Sequence, residues 1–221
     1  MNEGLVRKII HDMRSPLMGI HGNLELAKLV EGNKLSAKGR EYIDASMAAA
    51  IELNEIVASL LDVGMLQSGE RALSRSKFDL TEVCRRATAK MPVHANEIPV
   101  EIKPSNTPII VSADLELVQR VLYILINNAL RYSPRNGRVT VTLCNDERCV
   151  SARVSDRGPV IPADTMGAVF DMPAAPVAGN RSGPGLGLVF CKTVVEAHGG
   201  RIGVECPGGK ETVFWFDLPL G

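Results

Sequence analysis

The sequence predicts two domains: a helical hairpin that forms half of a dimeric four-helix bundle, followed by a two-layer α/β sandwich with a mixed sheet. Two observations lead to this prediction. Up to about residue 68, apolar residues recur with helical spacing and there is almost no strand signal. From Phe78 onward, β-branched alternations and helical stretches interleave. A chain of 221 residues is long enough for two such domains.

The first domain is predicted from a heptad pattern. Steps of three and four residues connect Val6, Ile10, Met13, Leu17, Ile20, Leu24 and Ala27. After a loop between Gly32 and Gly39, the pattern returns at Ala49, Leu53, Ile56, Leu60 and Val63. Two helices with wide apolar faces cannot bury both faces against each other, so we expect a homodimer through this hairpin. We assign residues 1–68 to the hairpin and residues 69–77, which are mostly polar, to a linker.

The second domain, residues 78–221, is predicted to layer helices on a mixed sheet. Helices are expected over residues 81–90, 114–132 and 185–198. Strands are expected near residues 100–103, 109–111, 139–143, 150–154, 201–205 and 211–218. The strands near 139–143 and 150–154 are expected to be adjacent and joined at residues 145–148.

Composition excludes several classes of protein. The chain has 25 Lys and Arg and 25 Asp and Glu, so its formal charge of zero provides no electrostatic footprint for nucleic acid or an anionic membrane. The apolar stretch Val121–Ile126 is far shorter than the ~20 residues that span a bilayer. The five cysteines form no CxxC pair, and we interpret them as reduced, buried thiols of a cytoplasmic protein.

His11 is the first candidate for chemistry. It follows Ile10 of the heptad pattern, so its imidazole is expected to point out of the bundle, where a neutral ring nitrogen is a competent nucleophile. Asp12 can accept a hydrogen bond from the other ring nitrogen, and Ser15 lies one turn away on the same face. Pro16 cannot donate a backbone hydrogen bond, so a bend is expected beside His11.

Three further segments lie in the second domain. Steps of four and three residues place Ile124, Asn128 and Arg131 on one helix face, with Tyr132 alongside. An amide oxygen suits Mg2+, and a guanidinium suits phosphate oxygens. Asp156 ends a predicted strand, where its carboxylate can accept a hydrogen bond from an adenine amino group.

Glycines complete the set of candidates. Gly158 would let a base approach the backbone closely. The glycine-rich turn of residues 183–187 opens the last helix, so its bare amides and the positive helix end can face phosphates.

In this order and spacing, the segments resemble those of sensor histidine kinases. The similar segments are residues 11–17 (the phospho-accepting box), 127–134 (the Asn box), 156–158 (the first glycine box), Phe170 (the Phe box) and 183–188 (the second glycine box). The resemblance covers essentially the whole chain. It implies a dimerisation and phosphotransfer domain, followed by a catalytic ATP-binding domain with the GHKL, or Bergerat, fold.

The resemblance also implies an activity and roles for residues. The γ-phosphoryl group of MgATP would pass to His11, with Asp12 as the base and Ser15 beside them, and then to an aspartate of a response-regulator receiver domain. Asn128 would bind Mg2+ and Asp156 would recognise adenine. The implied nucleotide-binding residues are Asn128, Arg131, Tyr132, Asp156, Gly158, Gly183, Gly185, Leu186 and Gly187.

Three departures from the family pattern leave alternatives open. Ile124 and Val160 stand where the family usually has Asn and Gly, which favours a degenerate kinase that acts as a non-catalytic phosphotransfer or regulator-binding dimer. Ser15 replaces a Thr or Asn, which makes phosphatase action on a partner less expected than kinase action. A GHKL ATPase that drives a conformational clamp is the other alternative, but it has no use for the His11 segment.

The remaining histidines give no metal site. His21 and His94 belong to no cluster of ligands. His198 lies at the predicted end of the last helix, where a positive charge is favourable.

Overall fold

In a computed structural model, the chain divides into two compact units, Met1–Met65 and Leu66–Gly221. The structure describes residues 3–32, 34–91, 98–103, 108–171 and 186–220. No helix among these residues is long and apolar enough to cross a membrane.

The first unit is an antiparallel helical hairpin made of α1 (Glu3–Glu31) and α2 (Ala37–Gln67). Leu17 of α1 packs with Val57 of α2, and Leu60 and Leu61 cover this small core. Nearer the connection, Lys28 Nζ lies 2.7 Å from Asp44 Oδ1. Residues that come later in α1 therefore pair with residues that come earlier in α2, as the short connection between the helices requires. Helix α1 continues through Pro16.

Several heptad residues stay exposed in this single hairpin. Met13, Ile20 and Leu53 are 40%, 51% and 40% exposed, although each belongs to the pattern that predicts burial. The hairpin therefore buries Leu17, Ala50 and Val57 by itself and leaves a second set of apolar side chains uncovered.

The second unit contains the remaining elements. They are β1 (Arg75–Asp79), α3 (Leu80–Ala89), β2 (Val100–Lys103), β3 (Ile110–Asp114), α4 (Leu115–Tyr132), β4 (Val139–Asn145), β5 (Cys149–Asp156), α5 (Ala163–Met166), α6 (Leu186–Ala197), β6 (Arg201–Glu205) and β7 (Thr212–Pro219). A short 3-10 turn, Pro207–Gly209, lies between β6 and β7.

The strands form a mixed sheet, as predicted. Five of them are ordered β2-β4-β5-β7-β6, and β1 and β3 form a separate two-stranded ribbon. The β2–β4 pair is parallel, whereas the other neighbours are antiparallel. The predicted β4–β5 hairpin is present, with Asp146 N–H donating to Cys149 O at 3.0 Å.

One face of this sheet packs on the helices. Along β4, Val139, Val141 and Leu143 are buried, and the alternate residues are more exposed. The buried stripe of α4 recurs at helical spacing and includes Val118, Val121, Leu122, Leu125 and Ala129. The core of the second unit therefore follows from the two periodicities of the sequence.

Three expectations need correction. Strand β1 begins at Arg75, so residues 75–77 of the predicted linker pair with β3 instead. Cys144 is exposed, because it occupies an outward-facing position of β4 next to buried Leu143. His198 is 2% exposed and does not carry the favoured positive charge, because its burial lowers the pKa of the imidazole.

Candidate functional site

The last turn of α4 carries the first group of candidate residues. Asn128 is half-buried, and Arg131 and Tyr132 are exposed. Ser133 ends the helix in an extended conformation while its N–H still donates to Ala129 O at 3.0 Å. Pro134 disfavours a helical conformation at Ser133, which explains why α4 stops here. The three candidates thus lie on the final turns of a helix whose other face is buried.

Gly158 is packed directly against this end of α4. A Cβ at Gly158 would lie 2.6 Å from Tyr132 O and 2.7 Å from Asp156 Oδ1, closer than any side chain tolerates. Only glycine allows the two backbones to approach this closely. The structure therefore brings Tyr132, Asp156 and Gly158 together, although they are far apart in sequence.

Asp156 is a buried carboxyl group at the end of β5. It is 4% exposed, and its Oδ1 accepts a hydrogen bond from Gly158 N–H at 2.7 Å. Burial raises the pKa of Asp156 to about 6; the Gly158 hydrogen bond opposes this rise, and the charge of Glu211 adds to it. At neutral pH the site therefore holds a carboxylate that has lost much of its hydration, which is a strong acceptor for an amino group.

Helix α6 meets α4 beside Ile124. Leu186 begins α6 and is buried, and a Cβ at Gly187 would lie 3.0 Å from Ile124 Cγ2. The face of α4 that carries Ile124 is the one predicted to carry Asn128 and Arg131. This face therefore borders the first turn of α6 at Gly187.

Thr212 belongs to this region and was not identified from the sequence. It is directly opposite Asp156 in the β5–β7 pair, is 3% exposed, and donates from Oγ1 to Pro159 O at 3.4 Å. Its only sequence signal is a hydroxyl residue at the start of an otherwise apolar strand. The register that places it opposite Asp156 cannot be obtained from local pattern.

Phe170 is buried and packs against β7. Its ring meets Phe214 of β7 edge to face, with the ring centroids 6.1 Å apart. Val160, which replaces the expected second glycine, is 39% exposed. Its side chain is therefore only partly enclosed by the loop that follows Asp156.

A cavity of about 830 Å³ opens on the other side of Asp156. Its lining is mostly polar and includes Thr140, Thr142 and Ser155, and neither Asn128 nor Gly187 contributes to it. Asp156 is therefore the candidate residue that lines this cavity.

Some candidates lie outside what the structure describes. The backbones of His11, Asp12 and Ser15 belong to α1, but their side chains are not described. Gly183 and Gly185 also lie outside the described residues.

The donor set fits a Mg2+ ion that arrives with a nucleotide. Among the described residues, no group of three or more His, Cys, Asp or Glu side chains could hold a metal. Mg2+ bound to phosphates usually keeps several waters and needs only one or two protein oxygens. The half-buried amide of Asn128 offers one such oxygen, one helical turn from Ile124, which faces Gly187.

Two family models match the chain. The "His Kinase A (phospho-acceptor) domain" model matches residues 1–69. The "Histidine kinase-, DNA gyrase B-, and HSP90-like ATPase" model matches residues 113–221.

Individual relatives agree with these matches. The sensor protein KdpD of Clostridium acetobutylicum is 27% identical over 99% of this chain, which spans 25% of that protein. The chain spans little more than half the length of the SasA kinases it also matches. The structure of full-length ShkA in complex with AMPPNP has a TM-score of 0.76 and 26% identity, covering 100% of this chain and 46% of ShkA. The solved chain of the mycobacterial sensor histidine kinase MprB has a TM-score of 0.59 and is 30% identical; the match covers 66% of this chain and 97% of that chain.

The helical hairpin matches a phospho-acceptor domain, and the second unit matches a GHKL ATPase domain in which the Asn and glycine segments lie close together. This chain therefore belongs to the sensor histidine kinase family.

Proposed function

We propose that this chain is a histidine autokinase that transfers the γ-phosphoryl group of MgATP to His11 and then to an aspartate of a response-regulator receiver domain. The observation that carries the proposal is the convergence of three distant segments. Tyr132 meets Gly158 through its carbonyl oxygen, and Ile124 meets Gly187 at the start of α6. The three segments therefore lie close together, which supports their acting on one ligand.

Each segment offers a different part of a nucleotide site. We propose that Asp156 accepts a hydrogen bond from the adenine amino group, and that Gly158 leaves room for the base beside the backbone. Asn128 would hold Mg2+, which when bound neutralises charge on the phosphates. Arg131, Tyr132 and the turn that includes Gly183, Gly185, Leu186 and Gly187 would hold the phosphates.

The protein's main contribution to phosphoryl transfer is positioning, because such a reaction needs little covalent help. We propose that His11 attacks through a ring nitrogen while Asp12 accepts a hydrogen bond from the other ring nitrogen and makes the first more basic. Ser15, one turn away on α1, would orient water or the incoming phosphoryl group.

We also propose that two copies of the hairpin form a four-helix bundle in a cytoplasmic homodimer, and that nucleic acid is not a partner. Met13, Ile20 and Leu53 support a second copy, because these heptad residues remain 40%, 51% and 40% exposed within one hairpin. A receiver domain would be the second protein partner, reached by the outward face of the same bundle.

The experiment is autophosphorylation with ATP labelled on the γ-phosphate. The proposal predicts a phosphate that is labile in acid and stable in base, present in the wild type and lost in His11→Gln. His21→Gln is the matched control: His21 lies on the same helix, and the His21→Gln variant should still be labelled on His11. Transfer is then measured as loss of label to purified receiver domains. Label that persists in His11→Gln would contradict the proposal.

One contact supports the degenerate kinase as a second candidate. Ile124 lies against Gly187 at the place where the family usually has Asn, so hydrocarbon replaces a polar group beside the phosphates. Calorimetry with MgATP separates the two candidates, since no binding at millimolar nucleotide would favour the non-catalytic module. If Ile124 is what weakens the site, Ile124→Asn tightens binding, whereas Val160→Gly tests the other departure.

A further inference from the structure

Helices α4 and α6 are in contact along most of α6. Gly187 lies beside Ile124, Cys191 Sγ lies 3.9 Å from Val121 O, and the Arg120 guanidinium lies 4.4 Å from the centre of the Phe190 ring. The helices run antiparallel, because later residues of α6 meet earlier residues of α4. The end of α6 must therefore lie beside the beginning of α4, away from the nucleotide site.

His198 joins the two helices at that remote end. Its Nε2 accepts a hydrogen bond from Asp114 N–H at 2.9 Å, and its Nδ1 lies 2.8 Å from Val194 O. The amide of Asp114 can only donate, so Nε2 is unprotonated and the ring proton is on Nδ1, donated to Val194 O. Burial, which lowers the pKa of His198, favours this neutral form.

Asp114 uses its two carboxylate oxygens for two different segments. Oδ1 caps the first turn of α4 by accepting from Leu117 N–H at 3.2 Å. Oδ2 accepts from the backbone N–H of Ser74 at 3.1 Å. Ser74 immediately precedes β1 and belongs to the stretch that follows α2. One buried carboxylate thus connects the entry of the chain into the second unit with the helix that carries Asn128.

Arg75 adds contacts to the same place. Its Nη1 donates to Ser112 O at 3.2 Å, and its Nη2 donates to His198 O at 3.4 Å. The segment Ser74–Arg75 therefore contacts both helices: α4 through Asp114 and the end of α6 through His198.

We propose that Asp114 and His198 are positioning residues that link the segment Ser74–Arg75 to the nucleotide site. This inference rests on the proposed function, because its consequence is a change in nucleotide binding. From Leu115 to Asn128, α4 spans about 20 Å at 1.5 Å per residue. If α4 moves as one rigid element, a shift of its first turn also moves Asn128. Displacing Ser74 removes a partner of Asp114 and alters the placement of both helices.

The first test compares His198→Gln with His198→Asn in the full chain. Gln carries an oxygen near the position of Nε2 and retains an acceptor for Asp114 N–H, whereas Asn reaches only the position of Nδ1. Both variants lose the ring, so a merely structural role makes them equally weak. We expect the dissociation constant for MgATP to rise about tenfold in His198→Asn, which is the size of one lost hydrogen bond. In His198→Gln it should stay within about threefold of the wild-type value. Equal effects in the two variants would overturn the proposal.

The second test removes one backbone hydrogen-bond donor from the linking segment. Ser74→Pro deletes the N–H that Asp114 accepts, and Ala72→Pro is the matched control in the same segment. The readout is amide hydrogen exchange without nucleotide, so it does not depend on ATP binding. We expect exchange in the last turns of α4 and the first turn of α6 to be about fivefold faster in Ser74→Pro, and unchanged in Ala72→Pro. Unchanged exchange in Ser74→Pro would refute the link, whereas absence of MgATP binding by the wild type would refute the proposed function and not the link.

Discussion

The two units of this chain close their apolar cores in different ways. In the second unit, Leu122, Leu125, Phe190 and Phe216 are completely buried within one chain. In the hairpin, heptad residues such as Ile20 remain half-exposed although their pattern is equally regular. Helices that pack on a sheet enclose a hydrophobic core between the two layers, whereas two helices bury only the side chains along their common interface. A periodic pattern therefore predicts which face is apolar, but not whether the same chain covers that face.

The largest effect is expected from a cavity in the second unit. Leu122→Ala removes a fully buried side chain between α4 and its neighbours, and it should lower the free energy of unfolding by about 2–5 kcal/mol. Because this core lies within one chain, the loss measured by denaturant unfolding should not depend on protein concentration. A loss that varies strongly with concentration would show that the second unit also depends on a partner.

The next effect concerns the hairpin. Ile20→Glu places a carboxylate on the heptad face, where two copies would bury it, so the dimer dissociation constant should rise by at least about 100-fold. Leu29→Glu is the matched control: Leu29 is 82% exposed and lies off the heptad pattern of the same helix. Sedimentation over a range of concentrations measures both. A wild-type monomer at micromolar concentration, or equal effects of the two variants, would contradict the dimer.

Asp156 allows function and stability to be separated. Its pKa is raised from 3.8 to about 6, so the folded protein holds its ionised form at a cost of about 1–3 kcal/mol at pH 7. Asp156→Asn keeps an oxygen for Gly158 N–H and removes the charge. The variant should therefore unfold at higher denaturant concentration than wild type and bind MgATP much more weakly. A variant that is less stable, or that binds nucleotide as well as wild type, would contradict this account of the site.

The smallest effect is the pH dependence of stability, to which Asp156 and His198 contribute with opposite signs. The folded pKa of Asp156 is raised, so its protonation stabilises the protein as the pH falls through about 6 toward 3.8. Burial is the main cause that lowers the folded pKa of His198; the hydrogen bond to Val194 O and the charge of Asp114 oppose this shift, and the charge of Arg75 adds to it. Below pH 6.5 the unfolded protein therefore binds a proton more readily than the folded protein, so His198 destabilises the fold as the pH falls. Between pH 7 and pH 5, unfolding curves should show a smaller loss of unfolding free energy in His198→Gln than in wild type. An unchanged pH profile would indicate that His198 does not titrate in this range.

How far the sequence could predict this molecule depends on whether a feature is local. The stripe of α4 and the β4–β5 hairpin follow from periodicity within a single segment, and the structure confirms both. The pairing of Asp156 with Thr212 and the bond between His198 and Asp114 join residues more than fifty positions apart, and no local pattern predicts them. Local pattern alone therefore favours a positive charge on His198 at the helix end, whereas the structure buries the ring and lowers its pKa. Gly158 was expected to admit a base, and its close contact with Tyr132 adds a structural requirement for glycine.

The central claim, that the second unit phosphorylates a histidine of the hairpin, is tested most directly by locating the phosphate. Wild-type protein is incubated with MgATP, digested without acid, and its peptides are sequenced by tandem mass spectrometry. We expect one phosphoryl group on His11 of the wild-type protein and none on His11 of Asp156→Asn under the same conditions. Phosphate on another residue, or equal phosphorylation of His11 in Asp156→Asn, would contradict it.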